Sequence, residues 1–197
     1  MRVAILSEAE FDESVARILV DAVIGPTEAF RVPLRTRGGW TVVRANAPWI
    51  ARQLHFAGAD GLVVIADSDL SDVSPSLARR DELTAALADA LRNLPPRAGL
   101  PPLRTAVGIA VPAIEAWLLA GTGDRDVGEP GIAARGRSPD GAELKRRLYG
   151  QDRAPSSVRR ERGLEAARLL ATTLDRVAPR FPAGLGGLCA DLRAWSH

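Results

Sequence analysis

The sequence predicts an α/β protein: a mostly parallel sheet of about four strands flanked by helices, TOPRIM-like or Rossmann-like in outline, with a helical C-terminal extension. Two observations carry that prediction. Between Arg2 and Gly121, short apolar runs alternate with longer stretches whose apolar residues recur at helical spacing. Beyond Gly121 the extended runs cease and only helical patterns remain. The expected division is therefore an α/β domain over 1–125 and a basic helical extension over 126–197, packed on it.

Taken in order, residues 2–7, R-V-A-I-L-S, read as a buried strand. Phe11, Val15, Ile18, Leu19, Ala22 and Val23 then recur at helical spacing from Glu8 to Ile24, and Gly25-Pro26 stops the helix. Residues 29–34 are a second strand, Arg37-Gly38-Gly39 a loop, and Trp40 to Val43 another short extended run. Ala47 to Ala57 is expected to be helical, with Pro48 in its first turn. Gly61 to Ala66 is the most apolar strand. Ser74-Pro75 opens a long helix reaching about Leu94, closed by Pro95-Pro96. Thr105 to Val111 is a further apolar strand and Ala113 to Ala120 a short helix. Gly121 to Pro139 is rich in Gly, Pro, Arg and Asp and reads as a loop. Helices follow near 140–149, 157–177 and 185–195.

The composition narrows the class. With 197 residues, 46% hydrophobic and 25% charged, the chain can bury an ordinary globular core. No apolar run approaches the roughly 18–20 residues of a membrane span. The N-terminus turns acidic within M-R-V-A-I-L-S-E, without a signal-peptide cleavage pattern. One cysteine, Cys189, excludes an internal disulfide and a multi-cysteine zinc site. A cytoplasmic protein with no membrane partner is expected. Charge is unevenly spread: residues 131–197 hold 13 of the 26 basic and 7 of the 24 acidic side chains. All the basic residues except Lys145 are arginine, whose forked donors suit phosphate. An acidic part followed by a basic part fits metal chemistry beside a polyanion, and it fits a purely structural origin equally well.

In parallel sheets, functional groups gather at the carboxyl ends of the strands. Glu8 follows the first strand, Asp67 and Asp69 follow Gly61–Ala66, and Glu115 follows the last strand. Alternate residues of an extended segment point to one side, so D-S-D aims two carboxylates together. Such a pair repels unless a cation sits between, and magnesium (or manganese) is the natural occupant because it takes oxygen ligands and keeps waters that a phosphate can replace. Asp72 can join either that site or a helix cap. The competing reading is a solvated strand-end turn whose Asp and Ser residues cap the next helix. Glu8, Glu10, Asp12 and Glu13 equally suit the positive end of a helix. Glu115 lies in the apolar stretch V-P-A-I-E-A-W-L-L, where a charge needs a partner or an exposed face; Trp117 is expected in the core. His55 and His197 form no dyad and are read as structural. No nucleophile elbow and no P-loop is present.

A strand-ending Glu8, an apolar strand closing on D-x-D, and I-A-V-P-A-I-E-A-W-L-L-A after a further strand resemble the TOPRIM-like domains of topoisomerases, primases and overcoming-lysogenization-defect nucleases. They are most similar to a bacterial TOPRIM-like family with a strand-Glu, D-x-D and E-x-W layout. S-E-A-E-F-D-E stands where that family's first motif reads V-E-G-x-T-D/E; Ala9 replaces the glycine, while Glu8, Asp12 and Glu13 are kept. S-P-D-G-A-E-L-K-R-R-L-Y before a helical tail also looks like the family's end, so the likeness spans nearly the whole chain, and I-E-A-W is its most specific motif. The resemblance implies a magnesium-dependent phosphoryl-transfer site, hence a nuclease acting on DNA or RNA, with a role in defence against phage or plasmids. It implies Asp67 and Asp69 as metal ligands, Glu8 as ligand or general acid/base, and Glu115 as ligand of a second metal or orienter of a basic side chain. Two metals would stabilise the attacking and leaving oxygens. Arg146, Arg147, Arg159, Arg160 and Arg162 would carry the nucleic-acid backbone, through contacts that are salt-sensitive and nonspecific. A partner protein such as an ATPase is implied as well.

The alternative is a catalytically inactive adaptor or regulatory subunit on the same fold, for which Ala9 speaks and the retained carboxylates do not. D-S-D-L-S also fits the first box of haloacid-dehalogenase-like phosphatases. That box belongs after the first strand and needs a later lysine and acidic pair, whereas Lys145 is the only lysine here. Sugar-nucleotide transferases use D-x-D with manganese, but nothing else in the chain supports one.

Overall fold

The computed structural model describes residues 1–33, 39–69, 73–129 and 139–196. Arg37, Gly38, Asp72 and His197, and the stretch 130–138 of the expected Gly121–Pro139 loop, lie outside the described residues. Four strands, β1 (Arg2–Leu6), β2 (Glu28–Phe30), β3 (Gly61–Asp67) and β4 (Arg104–Ala110), form one sheet in the order β2-β1-β3-β4, with every pairing parallel. Helices α1 (Glu10–Ile24), α2 (Trp40–Ala57) and α3 (Val73–Arg92) connect consecutive strands, and α4 (Ile114–Gly121) follows β4. The chain then adds α5 (Gly141–Tyr149), α6 (Ser156–Thr172), α7 (Leu174–Val177) and α8 (Gly187–Arg193), with a π-helical turn at Pro182–Gly186.

Both faces of the sheet are covered, which is why β3 reads as continuous apolar sequence rather than as an alternation. Leu62 and Val64 face one layer with Val43, Ile50, Leu54, Leu83 and Leu87 of α2 and α3. Val63 and Ile65 face the other, with Leu19 of α1, Trp117 of α4, and Phe181, Leu188 and Trp195 from the C-terminal helices. Each such side chain, removed from water, contributes about 1.5–3 kcal/mol. The C-terminal helices thus supply part of the sheet's second layer, and the approach is close. A β-carbon on Gly61 would lie 2.5 Å from the Trp195 ring.

Three elements differ from expectation. The second strand, expected over 29–34, is Glu28–Phe30, and residues 31–33, with Pro33 among them, are not strand. Trp40–Val43 is the start of α2, not an extended run, and Pro48 lies inside that helix, not in its first turn. The aromatic and β-branched residues mimic a strand locally. Val43, Ala47, Ile50, Ala51 and Leu54 are nevertheless all buried, and their spacing extends one helical stripe back through Val43. The helix expected over 157–177 is two, because Thr173 (φ −125°, ψ 15°) leaves helical geometry between α6 and α7. Trp117 is fully buried in the core. His55 is buried too, and its Nε2 donates to the Pro95 carbonyl at 2.9 Å, a structural role.

Candidate functional site

β2 lies on one side of β1 and β3 on the other, so the connections leaving β1 and leaving β3 part at the carboxyl ends of these strands, α1 to one face of the sheet and α3 to the other. That divergence makes a crevice, the usual ligand position in doubly wound sheets. Glu8 enters it two residues after β1, and Asp67 is the last residue of β3. The Glu8 Oε1 atom accepts a hydrogen bond from the Asp67 backbone N–H at 3.1 Å. Asp67 Oδ1 in turn accepts from the Ile114 N–H at 2.9 Å, at the first residue of α4. The loop beyond is pinned to β4: Ser68 N–H donates to the Ala110 carbonyl (2.7 Å) and Asp69 N–H to the Pro112 carbonyl (3.0 Å). Asp69 adopts φ 54°, a left-handed conformation that Asp tolerates better than most side chains.

That turn changes the relationship expected of the D-x-D pair. β3 ends at Asp67, so the two carboxylates do not project together from an extended strand. Glu8 is linked to both, by the Asp67 backbone N–H and by the charge of Asp69. A β-carbon placed on Gly39, ahead of α2, would lie 3.7 Å from Glu8 Oε2 and 3.9 Å from Asp69 Oδ2. On the other side, the charges acting most strongly on Asp67 are those of Asp12, Glu115 and Glu8. Five carboxylates from three stretches of chain, Glu8 and Asp12, Asp67 and Asp69, and Glu115, therefore act on one another here. Burial first, and then this mutual repulsion, holds Asp67 well above the usual carboxylate range. Glu8 is pushed up to about 7, again mainly by burial, against the lowering effect of its hydrogen bond from Asp67.

Asp12, Tyr149, Arg79 and Lys145 are residues that sequence reasoning did not assign to the site. Asp12 is one helical turn beyond Glu8 and is raised to about 6, by burial and then by Glu115. The Glu8–Asp12 spacing of four residues was a readable signal, but a first-turn acidic residue has a simpler explanation in the helix dipole. The Tyr149 hydroxyl, buried on α5, donates to Glu115 Oε1 at 3.3 Å. Tyr149 is set in place by an edge-on contact with Phe11 (6.5 Å between centroids, 77°). Phe11 packs so closely on α6 that a β-carbon on Gly163 would come within 2.3 Å of its ring. Arg79 donates to the Ser68 carbonyl and lies 5.3 Å from the Trp40 ring centroid, and its charge acts on Glu8.

Of the candidate nucleic-acid arginines, Arg159 reaches the cluster, since its charge and that of Lys145 both act on Asp12. Arg147 is paired with Asp124. Arg162 lies over Gly150, 3.3 Å from where a β-carbon would stand. Arg146, Arg159, Arg160 and Arg162 are solvent-exposed on α5 and α6. Ala9 has extended backbone (φ −142°, ψ 157°), a conformation open to any residue, so alanine there distorts nothing.

Among the described residues, no three His, Cys, Asp or Glu side chains are grouped tightly enough to enclose a metal ion. The donor set still suits a magnesium ion held by one or two carboxylates with the rest of its shell left to water, the ion's usual habit in protein sites. Comparison with protein-family models, with curated proteins and with solved structures gave no match for this chain. Fold and site together define an α/β protein with an all-parallel sheet and a carboxylate-lined crevice at its switch point. Among the described residues no helix is long and apolar enough to cross a membrane.

Proposed function

We propose that the chain is a TOPRIM-like, magnesium-dependent phosphoryl-transfer protein, a nuclease acting on DNA or RNA. The observation that supports this most is the convergence of Glu8, Asp12, Asp67, Asp69 and Glu115 on one crevice, with Lys145, Arg159 and Arg79 the cations acting on it. Carboxylates that repel one another when charged are stabilised by a divalent cation. Asp67 and Asp69 are the proposed ligands, both linked to Glu8, with Glu115 available to a second ion. When bound, magnesium supplies positive charge to the phosphoryl oxygens. Glu8, titrating at about 7, can hold or release a proton near neutrality, as a general acid or base must. Tyr149 orients Glu115, and Arg159 with Arg160 offers exposed donors to a phosphate backbone. A role in defence against phage or plasmids, and a partner ATPase, belong to the same reading.

The test is cleavage of single- and double-stranded DNA and of RNA, with and without magnesium, by the wild type and by Asp67→Ala. Metal-dependent cutting that the variant loses supports the nuclease. Absence of cutting on all substrates, together with absence of magnesium binding, leaves the inactive adaptor.

A further inference from the structure

A second basic feature lies away from the carboxylates, at the far end of α4. There Ala120, Gly123, Arg125, Arg176 and Arg180 line a pocket of about 340 Å³. Ala120 and Gly123 leave the rest of the lining to the three arginines, whose apolar stems make more of the wall than polar atoms do. Arg180 is fixed by the backbone: its Nη2 donates to the Asp124 carbonyl at 2.8 Å and to the Val127 carbonyl. Its own carbonyl accepts from the Glu129 N–H at 2.9 Å, which closes the 124–129 segment around it. Arg125 and Arg176 are exposed and make no ion pair among the described residues. The nearby carboxylate of Asp124 is already engaged by Arg147 and accepts from the Asp126 N–H at 3.1 Å.

Among the charges acting on Arg180, the Asp124 carboxylate comes first, then the like charge of Arg176, then Asp126. Arg125 and Arg176 keep their donors for an occupant, and planar guanidinium forks match the oxygens of a phosphate. Ile114, at the Asp67 end of α4, and Ala120, at the pocket, are about 9 Å apart along the helix, six residues at 1.5 Å each. We infer that Arg125, Arg176 and Arg180 form a phosphate-binding pocket, separate from the carboxylate crevice and one helix length from it. Its ligand is a phosphate group, either on a small phosphorylated compound or on a nucleic-acid backbone. The site goes beyond the proposed nuclease reading and does not depend on it.

The experiment is calorimetric titration of inorganic phosphate, and separately of a short single-stranded oligonucleotide, at low salt with no divalent cation. It compares the wild type, Arg125→Gln/Arg176→Gln, and Arg159→Gln/Arg160→Gln. Neither pocket substitution touches a buried contact, and thermal denaturation confirms folding. Saturable phosphate binding weakened by about tenfold or more in the pocket variant alone is expected, as befits the loss of charge-assisted hydrogen bonds. A parallel loss of oligonucleotide affinity identifies the backbone as the source; loss for phosphate only identifies a small phosphorylated compound. No saturable phosphate binding by the wild type, or equal affinity in the pocket variant, overturns the inference. Because no metal is present, failure of the carboxylate site leaves this result unchanged.

Discussion

Glu8 accepts the backbone N–H of Asp67 across the gap between β1 and β3, 59 residues away in sequence. The contact joins the ends of two neighbouring parallel strands and sets one half-buried carboxylate against the backbone of the residue that carries a second. Its cost depends on pH. Glu8 rises from 4.5 to about 7 and Asp12 from 3.8 to about 6. Between the ordinary and the raised values the folded chain binds more protons than the unfolded chain, so stability falls as pH rises through that window. In metal-free buffer the melting temperature is expected to be higher at pH 5 than at pH 8. Glu8→Gln and Asp12→Asn flatten that slope. A thermal scan across pH checks it, and an unchanged slope in both variants contradicts it.

Tyr149→Phe removes the hydroxyl donor from buried Glu115 while keeping the ring contact with Phe11. A loss of about 1 kcal/mol of stability is expected, the usual net worth of such a hydrogen bond. Divalent-ion affinity falls by about tenfold if Glu115 is a ligand oriented through Tyr149. Denaturant unfolding measures the first effect and manganese titration the second.

Gly163→Ala meets the Phe11 ring at a separation no β-carbon can keep. Overpacking of this kind costs about 1–3 kcal/mol. The displaced Phe11 also disturbs Tyr149, so the variant should lose stability and, at temperatures where it remains folded, metal affinity as well. Chemical denaturation and the same titration report the two.

Arg159→Ala/Arg160→Ala removes two exposed cations from the first two turns of α6. If both contact phosphates, the salt dependence of oligonucleotide affinity becomes shallower by about 1.4–1.8 in log–log slope, according to whether the strand is single or double. Fluorescence anisotropy over a salt series measures it. An unchanged slope removes α6 from the nucleic-acid surface.

The parts of this structure that were legible in the sequence are those fixed by local pattern. The run from Gly61 to Ala66, the stripe from Val15 to Val23 and the I-E-A-W segment each announce their element, and the parallel order places Glu8, Asp67 and Glu115 on one edge. What stayed hidden depends on tertiary contact. Trp40–Val43 has a strand's composition but is helical because its buried face continues that of α2. Tyr149 lies 34 residues from Glu115 and meets it only because α5 folds back over α4. The left-handed turn at Asp69 leaves no clear mark in D-S-D, yet it takes Asp69 out of the extended strand that Asp67 ends.

The most direct measurement is calorimetric titration of magnesium and manganese into the wild type and Asp67→Asn at pH 8. Asparagine keeps an oxygen for the Ile114 N–H and removes the charge, so helix α4 retains its cap. The account predicts saturable binding by the wild type and its loss in the variant, with the metal raising the wild-type melting temperature alone. Absence of binding by the wild type, or equal binding by both proteins, would contradict it.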